Sequence, residues 1–241
     1  MVWRLAYLLK HYACVAQTGR IEADLNHFEQ ITGSIFPMKL TLDWNCVIEV
    51  EEQRSQAFAV MDLIDRHRKG QFEVALLAAS ASENNKSRRF PGNAKIFNER
   101  VAALGWSDLP LVLMPGIYGL SYFDYCFYVG DGEKFKGDMA KLWLAIAPNV
   151  KSDPSCHLPA GVTLTDEAIQ SKDLAKWRNT WCDVISAYSH IHAKRDAFVT
   201  RNTSDFQKNS EALGKLGMKH IFEPADVLEG LKAINGKAGE I

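Results

Sequence analysis

Apolar and polar positions alternate from Met38 to Leu42, and the alternation breaks at Asp43-x-Asn45, which predicts a strand ending in a polar turn. Gly33, Ser34 and Pro37 punctuate the chain just before it. Residues 1–37 therefore read as an N-terminal extension, a helical arm or an upstream start ahead of Met38, and 38–241 as the main domain. From Ser55 to His67 the spacing of Phe58, Met61, Leu63 and Ile64, closed by Arg66, Arg68, Lys69 and Gly70, predicts a helix with cations in its last turn. Phe72 to Ala79 is a short continuous apolar run of the kind found in strands buried on both faces. Helices are expected from about Ser82 and over Ala94–Leu104. The apolar run Leu109–Met114 then stops at Pro115-Gly116. The glycine- and aromatic-rich stretch that follows has no clear period and predicts an insertion, at about 105–172, or a lid, rather than a second core.

Further on, Trp181, Val184, Ile185, Tyr188 and Ile191 recur at helical spacing and lead into the apolar strand Asp196–Thr200. A helix over Ser210–Leu216, a strand over Lys219–Phe222 and a helix opened by Pro224 and running through Leu231 complete the pattern. Helices alternating with short buried strands predict an α/β fold, a three-layer α/β/α arrangement around a central, mainly parallel sheet.

Composition narrows the function classes. The 241 residues are 47% apolar and 24% charged, as in a water-soluble globular chain with one enlarged domain. Lys and Arg (28) nearly balance Asp and Glu (29), so a net charge of -1 provides no global basic field and any nucleic-acid contact must use a local patch. No apolar run approaches the roughly 20 residues that cross a bilayer, so no membrane partner is expected. Five scattered cysteines without a C-x-x-C pair exclude a zinc ribbon and favour reduced thiols in a cytoplasm.

The candidate chemistry lies in the acids. In an open parallel sheet, ligands bind beyond the carboxyl ends of the strands, where helices packed antiparallel to them begin. Asp43 ends the first strand, Glu83 follows the second, Asp183 is expected in the opening turn of the helix before Val199, and Asp205 follows the strand ending at Thr200. All four fall on one predicted rim. Carboxylate oxygens are the ligands of hard divalent cations, and a cation relieves their mutual repulsion. Each acid also has a plainer reading: Ser80–Glu83 and Thr180–Asp183 fit the [ST]-x-x-[DE] capping box, Asp43 fits a turn and Asp205 a solvated surface.

The ordered set resembles the PIN-domain family. Leu42-Asp43-Trp44-Asn45 is similar to that family's leading Leu-Asp-x-Asn, and Ser80-Ala-Ser-Glu83 to the step carrying its second acid. The stretch from Asp183 through Val199-Thr200 to Asp205-Phe206 is similar to its closing signature. The resemblance covers about residues 38–231, without a counterpart for 105–172, and departs from many members in having Asn202 where they carry an acid. It implies a PIN-like fold and a Mg²⁺- or Mn²⁺-dependent endoribonuclease that hydrolyses RNA phosphodiester bonds. Asp43, Glu83 and Asp183 would hold the metal, Asp205 would complete the shell or orient water, and Asn45, Thr200 and Asn202 would support them. Lys86, Arg88, Arg89 and Arg201 are candidates for phosphate contact, against the alternative of a solvated helix face.

The resemblance also brings a homodimer and an antitoxin-type protein inhibitor into view as partners. Trp177 and Trp181 read as core more readily than as base-stacking residues, and His190 and His192 as helix residues rather than ligands. A haloacid-dehalogenase-type phosphatase would need a second acid where this chain has Asn45, and dinucleotide binding needs a G-x-G-x-x-G that is absent. The serious alternative is a catalytically weakened or inactive scaffold that binds RNA or protein.

Overall fold

The structure is a computed structural model and describes residues 37–83 and 90–238. The expected N-terminal arm lies outside the described residues, apart from Pro37, and the unit described begins at Met38. Five strands form one wholly parallel sheet: β1 (Lys39–Leu42), β2 (Glu73–Leu77), β3 (Leu111–Val112), β6 (Ala197–Val199) and β7 (His220–Phe222), in the order β3-β2-β1-β6-β7. β4 (Met114–Pro115) and β5 (Cys126–Phe127) make a separate two-stranded ladder. Leu42 pairs with Leu76 on one side and Val199 on the other, so the central strands end at one level.

Helices cover both faces because residues in the buried strands alternate between them. Leu40, Leu42, Val74, Leu76, Ala197 and Val199 face one core. On that side they meet α1 (Trp44–Glu51), α2 (Ala57–Arg68), α3 (Lys95–Ala103) and α8 (Val227–Ala238). Ala75, Leu77 and Phe198 face the other core. There they meet α4 (Gly132–Ile146), α6 (Ala175–His192) and α7 (Ser210–Lys215), while the short α5 (Asp166–Gln170) adds Ile169 at the margin.

Two local expectations change. The polar turn after β1 is a helix: Asp43 takes extended backbone and its carboxylate accepts from Trp44 N–H, so α1 starts at once. At Ser82 the chain is still in a 3₁₀ turn that spans Ala78–Ser82, with Glu83 extended after it, and the rest of the helix expected from about Ser82 lies outside the described residues. The region from Pro115 to Gly161, expected as an insertion or lid, makes no second core: its Leu120, Leu142, Trp143 and Ile146 are buried in the same core as α6 and the sheet.

Candidate functional site

The strand order reverses between β1 and β6. β1 continues to β2 and β3 on one side, and β6 to β7 on the other, which opens a crevice above the carboxyl ends of β1 and β6. Asp43 and Thr200 are the residues immediately after those two strands, and they bridge the crevice floor. Thr200 Oγ1 donates to Asp43 Oδ2 at 2.7 Å. Asn45 Nδ2 donates to the same Asp43 oxygen at 2.7 Å and to Thr200 Oγ1 at 3.1 Å, while Trp44 N–H donates to Asp43 Oδ1 at 2.8 Å. Three donors therefore fill most of the roughly four acceptor sites of the Asp43 carboxylate. Asn45 is itself held, since its Oδ1 accepts from Arg201 N–H at 2.8 Å. Asn202 N–H donates to Thr200 Oγ1 at 2.9 Å, and its side-chain amide donates to Asp205 Oδ2 at 2.8 Å.

Asp183 is carried by α6, which packs on the opposite core face, and Glu83 follows the 3₁₀ turn after β2. Asp183 is not at a helix start: α6 begins at Ala175, so Asp183 lies in its third turn, and Thr180 Oγ1 donates back to Lys176 C=O at 3.3 Å. The capping reading of Asp183 is thereby excluded. Ser80 Oγ makes no hydrogen bond among the described residues, so it caps nothing there either.

The carboxyls disturb one another. Burial, then the charges of Asp43 and Asp183, push Glu83 well above the usual carboxylate range, and among the described residues Arg100 pulls it back. Burial, then Asp43 and Asp205, push Asp183 well above it too. Asp43 is raised by burial against the opposing hydrogen bonds from Thr200, Trp44 and Asn45. Among the described residues, no three His, Cys, Asp or Glu side chains converge closely enough to form a finished metal site. The two observations agree physically, because Coulomb repulsion extends over many ångströms whereas Mg²⁺ ligation requires oxygens at about 2.0–2.1 Å. The donor set is hard oxygen, which suits a divalent ion held by a few carboxylates and water.

The cations fall differently. Lys86, Arg88 and Arg89 lie outside the described residues. Arg201 is committed elsewhere: its guanidinium pairs with Glu223 and approaches Glu49 at 3.6 Å, so it braces the ends of β6 and β7. Trp177 and Trp181 are buried in the core. His190 is buried against Thr41, and His192 stacks on Phe127 with ring centroids 4.3 Å apart.

Sequence reasoning missed Arg100. Its guanidinium lies 4.5 Å from the centroid of the Trp44 ring and grips Glu51, and among the described residues it is within electrostatic reach of Glu83. The one available signal was Phe97 and Arg100 a turn apart on a predicted helix, since Phe97 packs on the same Trp44 ring.

The fold and the crevice define an α/β protein with a parallel sheet and a buried carboxyl, Asp43, at its topological switch point, within electrostatic reach of Glu83 and Asp183. Comparison with protein-family models, curated proteins and solved structures finds no match.

Proposed function

We propose that this chain is a PIN-like, divalent-metal-dependent endoribonuclease. The observation that supports the reading is that the buried carboxyls of Glu83, Asp43 and Asp183, from three distant segments, lie within electrostatic reach of one another beyond the carboxyl ends of the sheet strands. RNA as substrate rests on the sequence resemblance over 42–45, 80–83 and 183–206. Asp43, Glu83 and Asp183 would hold Mg²⁺ or Mn²⁺, with Asp205 completing the shell or orienting the attacking water. When bound, such an ion lowers the pKa of a water and offsets charge on the scissile phosphate and leaving oxygen. Asn45 and Thr200 fix the Asp43 carboxylate in one rotamer, and Asn202 fixes Asp205. Cys46, Cys126, Cys156 and Cys182 are free thiols, as a reducing cytoplasm would keep them. Among the described residues no helix is long and apolar enough to cross a membrane. A homodimer and a protein inhibitor of the antitoxin type belong to the same reading.

A specific observation favours a second reading, an inactive scaffold. Asp43 already serves as the N-cap of α1, and the acids do not converge in the described structure. Metal binding and cleavage separate the two. Mn²⁺ at about 100 times its Kd should stabilise the wild type by about 2.7 kcal/mol, several degrees in Tm, and Asp43→Asn far less. The wild type should cleave a mixed RNA pool with Mg²⁺ or Mn²⁺, and Glu83→Gln should not. Thr200→Val should weaken metal affinity or activity about 10–100-fold. Equal melting shifts in wild type and Asp43→Asn, with no cleavage, would establish the scaffold.

A further inference from the structure

One residue grips α1 at two points. Arg201 follows Thr200 after the end of β6, and its backbone N–H donates to Asn45 Oδ1 at 2.8 Å. Its guanidinium approaches Glu49 at 3.6 Å, an ion contact beyond hydrogen-bond range. Asn45 and Glu49 stand four residues apart on α1, so both contacts fall on one face of that helix. The same guanidinium pairs with Glu223, the residue after β7. Glu223 Oε2 also accepts from Gln56 Nε2 at 2.5 Å, Gln56 N–H donates to Glu49 Oε2 at 3.1 Å, and Gln56 Oε1 accepts from Ala225 N–H at 3.0 Å. Glu49 is only 4% exposed, and Arg54 reaches it at 3.9 Å.

This network decides which way the Asn45 carboxamide points. A carboxamide has a donor end and an acceptor end of almost the same shape, and its neighbours choose between them. With the Arg201 N–H held against Oδ1, Nδ2 faces Asp43 Oδ2 and Thr200 Oγ1, at 2.7 and 3.1 Å. If residue 201 shifted, the amide would lose that bond, and a reversed amide would set Oδ1 against the Asp43 carboxylate. β6 and β7 end at Val199 and Phe222, and Thr200 N–H donates to Phe222 C=O at 2.9 Å. Beyond that bond the Arg201–Glu223 pair continues the link between the two strand ends. A planar guanidinium holds two carboxylates in fixed directions, which a compact ammonium does less well.

We propose that Glu223 and Glu49, acting through Arg201, are positioning residues of the acidic site: they hold the Arg201 N–H that orients Asn45, and Asn45 orients the Asp43 carboxylate. The proposal rests on the metal-site reading for the ion that Asp43 would take, and deepens it by naming what sets the geometry of that carboxylate. It gives Arg201 an internal task in place of the phosphate contact that its place in the sequence suggests. Both bonds to the Glu223 side chain fall on one oxygen, so Gln at this position keeps the acceptor and loses only the charge. Ala keeps neither.

Two measurements on the full chain test this. The first is Mn²⁺ affinity by isothermal titration calorimetry well below the melting temperature, where a loss of stability alone leaves the affinity unmoved. Asn45→Ala should weaken it about 10–100-fold and Glu223→Ala about three- to tenfold, while Glu223→Gln stays within about twofold of wild type. Because Glu223 acts through Asn45, adding Glu223→Ala to Asn45→Ala should weaken it no further. The second is the nuclear magnetic resonance signal of the Asn45 side-chain amide in the metal-free chain. Its proton exchange should quicken in Glu223→Ala, and also in Gln56→Ala, a milder change that leaves every charge of the network in place. It should not quicken in Arg68→Ala, which breaks a bridge to Asp108 before the amino ends of β2 and β3. An amide signal that ignores both network variants overturns the proposal. So does a wild type that binds Mn²⁺ no better than Glu223→Ala, or additive losses in the double variant. A wild type that binds no Mn²⁺ while the amide responds as expected removes the metal reading and keeps the brace, so the two fail separately.

Discussion

His190 lies in α6 with its ring edge-on to Phe198, its Nδ1 2.8 Å from Thr41 Oγ1 and its Nε2 buried without a hydrogen-bond partner among the described residues. Burial first, and the positive charge of Arg195 second, push its pKa down to about 3. The sign follows from linkage: a histidine whose folded pKa is depressed contributes stability that is present above its ordinary value near 6.5 and is lost as pH falls toward 3. Each pH unit in that window costs at most about 1.4 kcal/mol. Between pH 6.5 and about 4.5 the wild type should therefore lose about 2 kcal/mol more than His190→Leu in urea unfolding. Parallel stability curves for the two would refute the assignment. At this scale Asn45 was legible in advance, because a side chain two residues after Asp43 at a strand end can return to it. Arg100 was not, because its value depends on Trp44 and Glu83, which only the folded chain brings near it.

Among the elements, α8 meets the sheet at a glycine. A Cβ at Gly230 would lie 2.3 Å from Phe222 Cε1 at the end of β7, whereas one at Gly137 in α4 would meet nothing within 4 Å. The same substitution should then have opposite signs. Gly137→Ala should stabilise by about 0.5–1 kcal/mol through helix propensity and reduced unfolded-state freedom. At Gly230 an overpacking cost of about 1–3 kcal/mol outweighs that gain. Urea midpoints of the two variants check this, and stabilisation at Gly230 would show that the α8–β7 approach is looser than described. The elements least legible in sequence failed for related reasons. Asp43-x-Asn45 read as a polar turn, and the β-branched Val47, Ile48 and Val50 beyond it gave no helix signal, yet the capping carboxylate of Asp43 starts α1. The first turns of α6 place Trp177, Arg178 and Thr180 all in buried positions, so no apolar stripe marks them, and Thr180-x-x-Asp183 imitated a helix start nine residues into the helix.

For the whole molecule, the decisive issue is whether the 105–172 segment belongs to the core. Its α4 carries Trp143, buried with Trp177 at 6.1 Å between ring centroids, and Trp143 Nε1 donates to Val150 C=O at 2.6 Å. Leu142 and Ile146 complete a helix face that meets the same cluster as Ala75, Leu77 and Phe198 of the sheet. The segment was illegible because its buried partners lie on α6 and on strands far away in sequence, whereas its glycines and exposed aromatics suggested a loop. Alternating buried strands, by contrast, reported the parallel sheet from short-range pattern alone, and that pattern also placed Asp43 and Thr200 at its rim. If α4 is core, Trp143→Ala should cost about 3–5 kcal/mol, while Trp143→Phe should recover much of it. The loss should register equally in far-ultraviolet circular dichroism and intrinsic fluorescence, because removing a shared core side chain destabilises the cooperative unit as a whole. A lid would behave differently: the alanine variant would keep its global urea midpoint and gain only local protease sensitivity between Gly132 and Ile146.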